Sequence, residues 1–435
     1  MISDLPALPE DALPLPLVSR TVAIDPAELP ADLIDLVPPG GMAWVRRGDG
    51  LVAWGELVRF RPTGTDRMRT AEATWRDLAA RAVVRDEVRV PGSGPIAFGS
   101  FSFAPGSPTG SVLVVPRVVV GRRGGAAWIT TMDAGAVAPG AAGLVRQPAP
   151  RSPGAVRYSD GALSARAWQR AVEHALDRIR AGRLDKVVLA REVLATTAEP
   201  LDPRWVLHRL AADYGACWTF AVDGMVGATP ELLLRSEKGL VTSRVLAGTI
   251  RRTGDDDADL AHAAVLAHSS KDLEEHEYAV ASLTEALAPF CSSTNVPETP
   301  FVLHLPNVLH LATDVTGVLS TGGLAPTPSS LAVASALHPT AAVAGTPTAE
   351  ACELIDQIEG MDRGRYAGPV GWIGADGDGE WAIALRSAEI GADPHRLRLF
   401  AGCGIVAASD PVAELAESEA KLEPMRHALS GGATA

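Results

Sequence analysis

Apolar positions along the chain follow two rhythms. From Met42 to Phe60 and from Pro95 to Val120 they alternate with small or polar residues, and both stretches read as β-strands. Residues 94–103 alternate ring and small side chain, and Ser111 to Val120 is a β-branched run. Between them, Arg67 to Ala82 has helical character. Residues 134–162 are dense in Gly, Ala and Pro and predict a loop. Trp168, Val172, Leu176 and Ile179 then recur at helical spacing, so Leu163 to Ala181 reads as a helix that Gly182 can end. Lys186 to Leu194 is an extended valine-rich run. Strands are expected at 217–226, 231–236 and 239–247, and helices at about 270–288, 327–338 and 348–358. Strands follow at 367–374, 380–388 and 396–402, with a last helix from about 411. Residues 1 to about 40, rich in Pro, Leu and Asp, are expected to wrap over a surface. The mixture lacks a regular βαβ beat. It predicts a large mixed α/β (α+β) fold rather than a barrel or a dinucleotide-binding domain.

Composition narrows the function. The 435 residues are 47% hydrophobic, enough for a sizeable core. A net charge of -13 with no dense Lys/Arg run argues against nucleic acid. Arg117 to Arg123 is short and mixed with valine, and reads as a strand edge. Cysteines 217, 291, 352 and 403 form no CxxC pair and sit among apolar or small residues, as in a reducing compartment. No stretch approaches the length of a membrane helix, and Met1 to Pro38 lacks the basic-then-apolar pattern of a signal peptide. The expected location is cytoplasmic.

Several residues could carry chemistry. In the last helix Asp410 suits the N-cap and Pro411 the first turn. Glu414, Glu417 and Lys421 then share one face. That face is either solvated or a hard-metal site, and spacing does not decide. In the helix at 270–288, Leu273, Val280, Leu283 and Leu287 form an apolar stripe with His276 in its middle and Glu275 at its margin. A histidine there is commonly a satisfied core residue, whereas a carboxylate at a buried edge needs a partner, a metal or a proton. Lys186 opens a strand, where most lysines are solvated. To act as a base it must lose a proton against a reference pKa of about 10.4. Glu231 follows Pro230 at the start of an apolar strand and is equally a rim residue or an acid.

Taken together and in order, the strings resemble a known family. They are Asp-Lys-Val-Val-Leu-Ala-Arg (185–191), Gly-Ala-Thr-Pro-Glu-Leu-Leu-Leu-Arg (227–235), Leu-Ala-Gly-Thr-Ile-Arg-Arg (246–252) and Lys-Asp-Leu-Glu-Glu-His-Glu (271–277). Leu-His-Pro-Thr-Ala-Ala-Val-Ala-Gly (337–345), Asp-Arg-Gly-Arg-Tyr-Ala-Gly-Pro-Val-Gly-Trp (362–372), Ala-Leu-Arg-Ser-Ala (384–388) and Ala-Gly-Cys-Gly-Ile-Val (401–406) follow, then the Glu414–Glu417–Lys421 helix. This series resembles the chorismate-utilising enzymes, which include the isochorismate, salicylate, anthranilate and aminodeoxychorismate synthases. The likeness is strong over about 160–428 and general before 150. It implies two packed sheets flanked by helices in one integrated unit, with a strand-rich part at 1–150 and a chorismate-binding catalytic region at 151–435. Glu275, Glu414 and Glu417 would hold Mg²⁺ against the ring carboxylate. Gly248 and Thr249 would donate to that carboxylate and Lys421 would add charge. Arg386, Gly402 and Gly404 would bind the pyruvyl carboxylate. His276, His338 and Ala342 would line the ring.

Two positions separate the branches. Lys186 resembles the water-using branch, and Ala247 stands where the aminodeoxychorismate enzymes usually carry a nucleophilic lysine. No glutaminase subunit is therefore expected. The run from His338 to Val343 is most similar to the isochorismate type, while Leu309 departs from the Gln or Trp usual in relatives. The implied reaction is attack of water at C2 of chorismate with Lys186 as base, and loss of the C4 hydroxyl with Glu231 as acid. The alternative is a salicylate synthase, which goes on to eliminate pyruvate. A non-enzymatic acidic scaffold would leave Glu275 and His276 at a buried edge without a purpose.

Overall fold

The computed structural model describes residues 16–135, 144–320 and 327–430. The first 15 residues, and 136–143 of the expected loop, lie outside them. The described chain opens with β1 (Leu17–Ile24), β2 (Met42–Arg46) and β3 (Asp49–Phe60), then α1 (Arg67–Ala80). It continues through β4 (Val83–Asp86), β5 (Ile96–Ser100), β6 (Val112–Arg123), β7 (Ala126–Ala134) and β8 (Val156–Asp160) to α2 (Ala165–Arg180). Next come β9 (Lys186–Thr197), α3 (Pro203–Asp213), β10 (Trp218–Val222), β11 (Met225–Thr229), β12 (Leu232–Glu237) and β13 (Leu240–Arg251). Two helices, α4 (Asp256–His268) and α5 (Ser270–Leu287), precede β14 (Cys291–Asn295), β15 (Phe301–His304) and β16 (Val308–Leu319). The last part holds α6 (Ser330–Leu337), β17 (Gly345–Thr346), α7 (Thr348–Ile358), β18 (Pro369–Gly374), β19 (Gly379–Ile383), β20 (Ser387–Ile390), β21 (Arg396–Ile405) and α8 (Pro411–Leu429).

Six of the eight α-helices in the described residues begin where a Ser or Asp side chain replaces a missing backbone acceptor. Ser164 caps α2, Ser269 caps α5, and Asp410 accepts from Val412 and Ala413 at the head of α8. The stripe Trp168, Val172, Leu176 and Ile179 is buried, as its spacing predicted. The strands form one hydrogen-bonded network. One arm runs β8, β9, β21, β20, β11, β10, β2, β3, β6. At β6 the ladder forks, because Val112–Val114 pair with β5 while 118–123 pair with β7. The β5 branch continues through β18, β19, β12, β13 and β16. The two arms also meet through side chains. Trp44 of β2 and Trp218 of β10 donate indole N–H bonds of 2.9 and 3.2 Å to Glu380 of β19. The mixed α/β class expected from the pattern is the one observed, with the two layers joined through β6.

Four expectations are corrected. Residues 17–24 do not wrap a surface: they form β1, paired with β7 and β4, while Leu33, Ile34 and Leu36 are buried beneath β3. Arg117 to Arg123 is no edge, since β6 is paired on both sides and Arg117 is buried against Asp133. Part of the expected loop, Val156–Asp160, is strand β8. The strand expected at 380–388 breaks at Arg386, whose φ of 48° cannot continue a ladder. Missing from the pattern altogether were α3, α4 and the β14–β16 hairpins.

Candidate active site

A cavity lies where the far ends of the two arms meet. Val188 and Ala190 of β9 and Gly402 and Gly404 of β21 form one wall. Leu246 to Thr249 of β13 and His310 of β16 form the opposite one. Glu231, Glu275, Ala342, Arg386 and Lys421 complete it from five other segments. Nine residues singled out in the sequence therefore share one cavity lining: Glu231, Gly248, Thr249, Glu275, Ala342, Arg386, Gly402, Gly404 and Lys421.

Local backbone features aim these groups. The register between β13 and β16 slips at Gly248, which has φ +79° and forms a bulge between Ala247 and Thr249. A Cβ at Gly248 would stand 2.9 Å from Asp272 Cβ, so α5 can approach only because this residue is glycine. The bulge places Thr249 Oγ1 3.1 Å from His310 Nδ1. The other ring nitrogen of His310 takes a 2.8 Å bond from Arg386 Nη2. Burial, then the charges of Arg386 and Lys421, hold the His310 pKa well below its usual value, so the ring is neutral and Nε2 accepts. Sequence reasoning missed His310. The only signal was a lone histidine inside an apolar strand. Tyr366 was missed as well. It lines the cavity and stacks on Phe400, ring centroids 4.9 Å apart.

Glu231 is 5% exposed. Burial pushes its pKa up to about 8, outweighing the pull of Lys186, Arg386 and Lys421. At neutral pH it is a protonated donor facing the cavity. Lys186 is fully buried, unlike most strand-opening lysines. Its Nζ lies 3.3 Å from Glu275 Oε1 and 3.4 Å from the Glu275 carbonyl, behind the cavity wall rather than on it. Gly404 makes room for this pair, since a Cβ there would fall 2.0 Å from Glu275 Oε1.

The acidic cluster is only partly as expected. Ligand atoms of Glu414, Glu417 and Cys403 lie within 4.8 Å of one another. Glu275 is outside that group and turns to Lys186. Lysines balance the charge, with Lys271 on Glu414 at 2.7 Å and Lys421 on Glu417 at 2.6 Å. Burial raises the Glu417 pKa, but Lys421 more than offsets this and keeps the carboxylate ionised. Glu414 is pushed upward by burial and by its neighbour Glu417. Glu414 Oε2 is buried with no hydrogen-bond partner. An orphaned carboxylate oxygen beside a second carboxylate suits a hard divalent cation.

Two assignments are corrected. His276 does not line the cavity. It is a satisfied core residue, its Nε2 2.7 Å from Thr313 Oγ1 and its Nδ1 3.3 Å from the Ala247 carbonyl. The centre of an apolar stripe necessarily faces the core. His338 is also outside the lining. It packs edge-on against Phe103, with centroids 5.7 Å apart.

Residues 42–430 match the family model described as chorismate binding enzyme, and the chain belongs to that family. The salicylate biosynthesis isochorismate synthase of Pseudomonas aeruginosa is 35% identical over 89% of this chain and 84% of its own. Among solved structures, the putative 2,3-dihydroxybenzoate-specific isochorismate synthase DhbC of Bacillus anthracis is 29% identical. It superposes with a TM-score of 0.74 over 92% of this chain and 99% of that one. The menaquinone-specific isochorismate synthase MenF of Escherichia coli is 25% identical, with a TM-score of 0.76 over 97% and 96%.

Proposed function

We propose that the protein is an isomerase, a magnesium-dependent isochorismate synthase acting on chorismate. The observation that carries the reading is Glu231, a buried carboxyl that stays protonated to about pH 8 on the wall of a cavity that also holds Arg386 and Lys421. A proton donor there suits a departing hydroxyl. Arg386 and Lys421 offer the positive charge that a dicarboxylate requires in a protein of net charge -13. Lys186 is assigned as the base for the attacking water; its Nζ lies behind the cavity wall, 3.3 Å from Oε1 of Glu275, which itself lines the cavity. Glu414 and Glu417, with Glu275 beside them, would hold Mg²⁺. The ion supplies positive charge for the substrate's ring carboxylate.

The test is purified protein with chorismate and Mg²⁺, with isochorismate and pyruvate measured separately. Isochorismate should accumulate toward an equilibrium with chorismate, and EDTA should abolish turnover. Pyruvate formed at the rate chorismate disappears would instead identify a salicylate synthase. Full turnover in EDTA would reject the metal.

A further inference from the structure

Beside the cavity, one edge of β9 has a gap in its ladder. β21 covers the whole of the opposite edge, from Val187 to Thr196. On the gapped edge β17 pairs at Lys186 and Val187, and β8 pairs only from Val193 onward. Between them no strand of the described residues pairs with that edge, and side chains take its place. Arg363 Nη2 donates to the Val188 carbonyl at 2.8 Å, and Glu359 Oε1 accepts from the Ala190 N–H at 2.6 Å. Trp168 Nε1 donates to the Ala190 carbonyl at 3.0 Å. Arg363 and Glu359 are joined to each other, Nε to Oε2 at 2.9 Å, and both are buried. The other arm of the guanidinium, Nη1, donates to the Val343 carbonyl at 2.8 Å, on the turn that Val343 and Ala344 close onto Thr340. Val188, Ala190, Val343 and Arg363 itself all line the cavity.

We propose that Arg363 and Glu359 are positioning residues: the pair stands in for the missing strand, fixes β9 against the turn at 340–344, and so sets how tightly the cavity confines the substrate. An ion pair buried this deeply adds little stability by itself. What it supplies is geometry, since a planar guanidinium holds its donors in a rigid fork and can keep two carbonyls and a carboxylate at set distances. Slack in that wall matters because a misplacement of about 1 Å can cost about 10²-fold in rate. It also bears on the product. Isochorismate can lose its enolpyruvyl arm: the ring C–O bond breaks, the C2 hydrogen ends on the methyl of pyruvate, and salicylate remains. A wall that holds the arm still keeps this loss slow. The catalytic part of the inference rests on the proposed isochorismate reaction, whereas the bracing of the wall can be read without turnover.

The test compares Arg363→Lys and Glu359→Gln with the full-length wild type. Arg363→Lys keeps the charge, but one ammonium cannot span both carbonyls and Glu359. Its kcat/KM for chorismate should fall by about 10²-fold, and the ratio of pyruvate to isochorismate formed should rise severalfold. Glu359→Gln keeps an acceptor for Ala190 but loses the charge that holds the guanidinium, so it should move both quantities the same way by less. It decides the matter if Arg363→Lys does not fold. The product ratio is independent of the fraction of folded enzyme, so a purely structural role cannot move it. Arg191→Lys is the control: Arg191 is also buried on β9, but it bonds to Glu419 and does not line the cavity. It should lower the melting temperature and leave the ratio alone. Amide hydrogen exchange supplies the readout without turnover, and segments 188–192 and 340–344 should exchange faster in both pair variants. Wild-type exchange in those segments of a folded pair variant overturns the brace. Faster exchange with an unchanged ratio and kcat/KM, or an equal shift of the ratio in Arg191→Lys, overturns the positioning role. Wild-type protein that forms no isochorismate sinks the functional reading, and exchange then decides the brace alone.

Discussion

At the scale of single residues, Glu231 makes the sharpest prediction. Its carboxyl is protonated below about pH 8. Activity that needs it as an acid is therefore retained below that pH and falls as pH rises through it. Glu231→Gln and Lys186→Ala should each lower kcat by roughly 10²–10⁴-fold while the protein stays folded. Near-normal turnover in either variant removes that residue from the mechanism. Stability gives an independent check on the acid. The folded pKa is raised, so the unfolded chain loses its proton first and stability declines between about pH 4.5 and 8. Melting temperatures of wild type and Glu231→Gln, compared across that window, should diverge in favour of the glutamine variant as pH rises. Much at this scale was legible, because the residues that meet in the cavity come from short strings with strong local character. His310 was not, because its role comes from strands that approach only in the folded chain, and Tyr366, though inside the string 362–372, carries no local sign that its ring reaches the cavity. The places of His276 and His338 were misread because a family motif says which residues are near a site, not which way they face.

At the scale of elements, the bulge in β13 is the device that joins sheet to helix. Gly248→Ala would force a side chain onto a φ of +79° and against Asp272. Backbone strain of this kind costs about 1–3 kcal/mol. Because Thr249 follows directly, the KM for chorismate should rise more than kcat falls, alongside a lower melting temperature. An unchanged KM would mean that Thr249 does not touch substrate. Elements with one clear face were readable in the sequence: α2, α5, α7 and the long valine-rich strands all stand close to where their patterns put them. The missed elements lack such a face. In α4, apolar and acidic residues fall all around the helix, and Leu260 and Val265 remain exposed. β14 is a polar run, Cys-Ser-Ser-Thr-Asn, whose strand form comes from its pairing with β16. β1 alternates clearly enough, but its sequence gives no hint that it lies between two other strands.

At the scale of the whole molecule, three histidines are held in their neutral form, His276 and His310 buried and His338 half-buried. Burial lowers the pKa of His276 to about 4 and of His338 to about 3, and burial with the charges of Arg386 and Lys421 holds that of His310 well below its usual value. An unfolded histidine takes up a proton near pH 6.5, whereas these cannot. Their contribution to stability is complete above that pH and is lost as pH falls toward 4 and 3, by about 3 kcal/mol for His276 alone. Melting curves between pH 7.5 and 4.5 should show this decline, and His276→Asn should flatten it. The fork at β6 bears on how the chain could be divided. Strands from before and after residue 150 alternate in the ladder, with β2 paired to β10 and β5 to β18. A fragment ending at residue 150 would expose both of those open edges, each ready to template on another copy. Expressed alone, it should aggregate rather than elute as a monomer in gel filtration. The intact chain should melt in one transition, since neither arm can be peeled away without stripping the other.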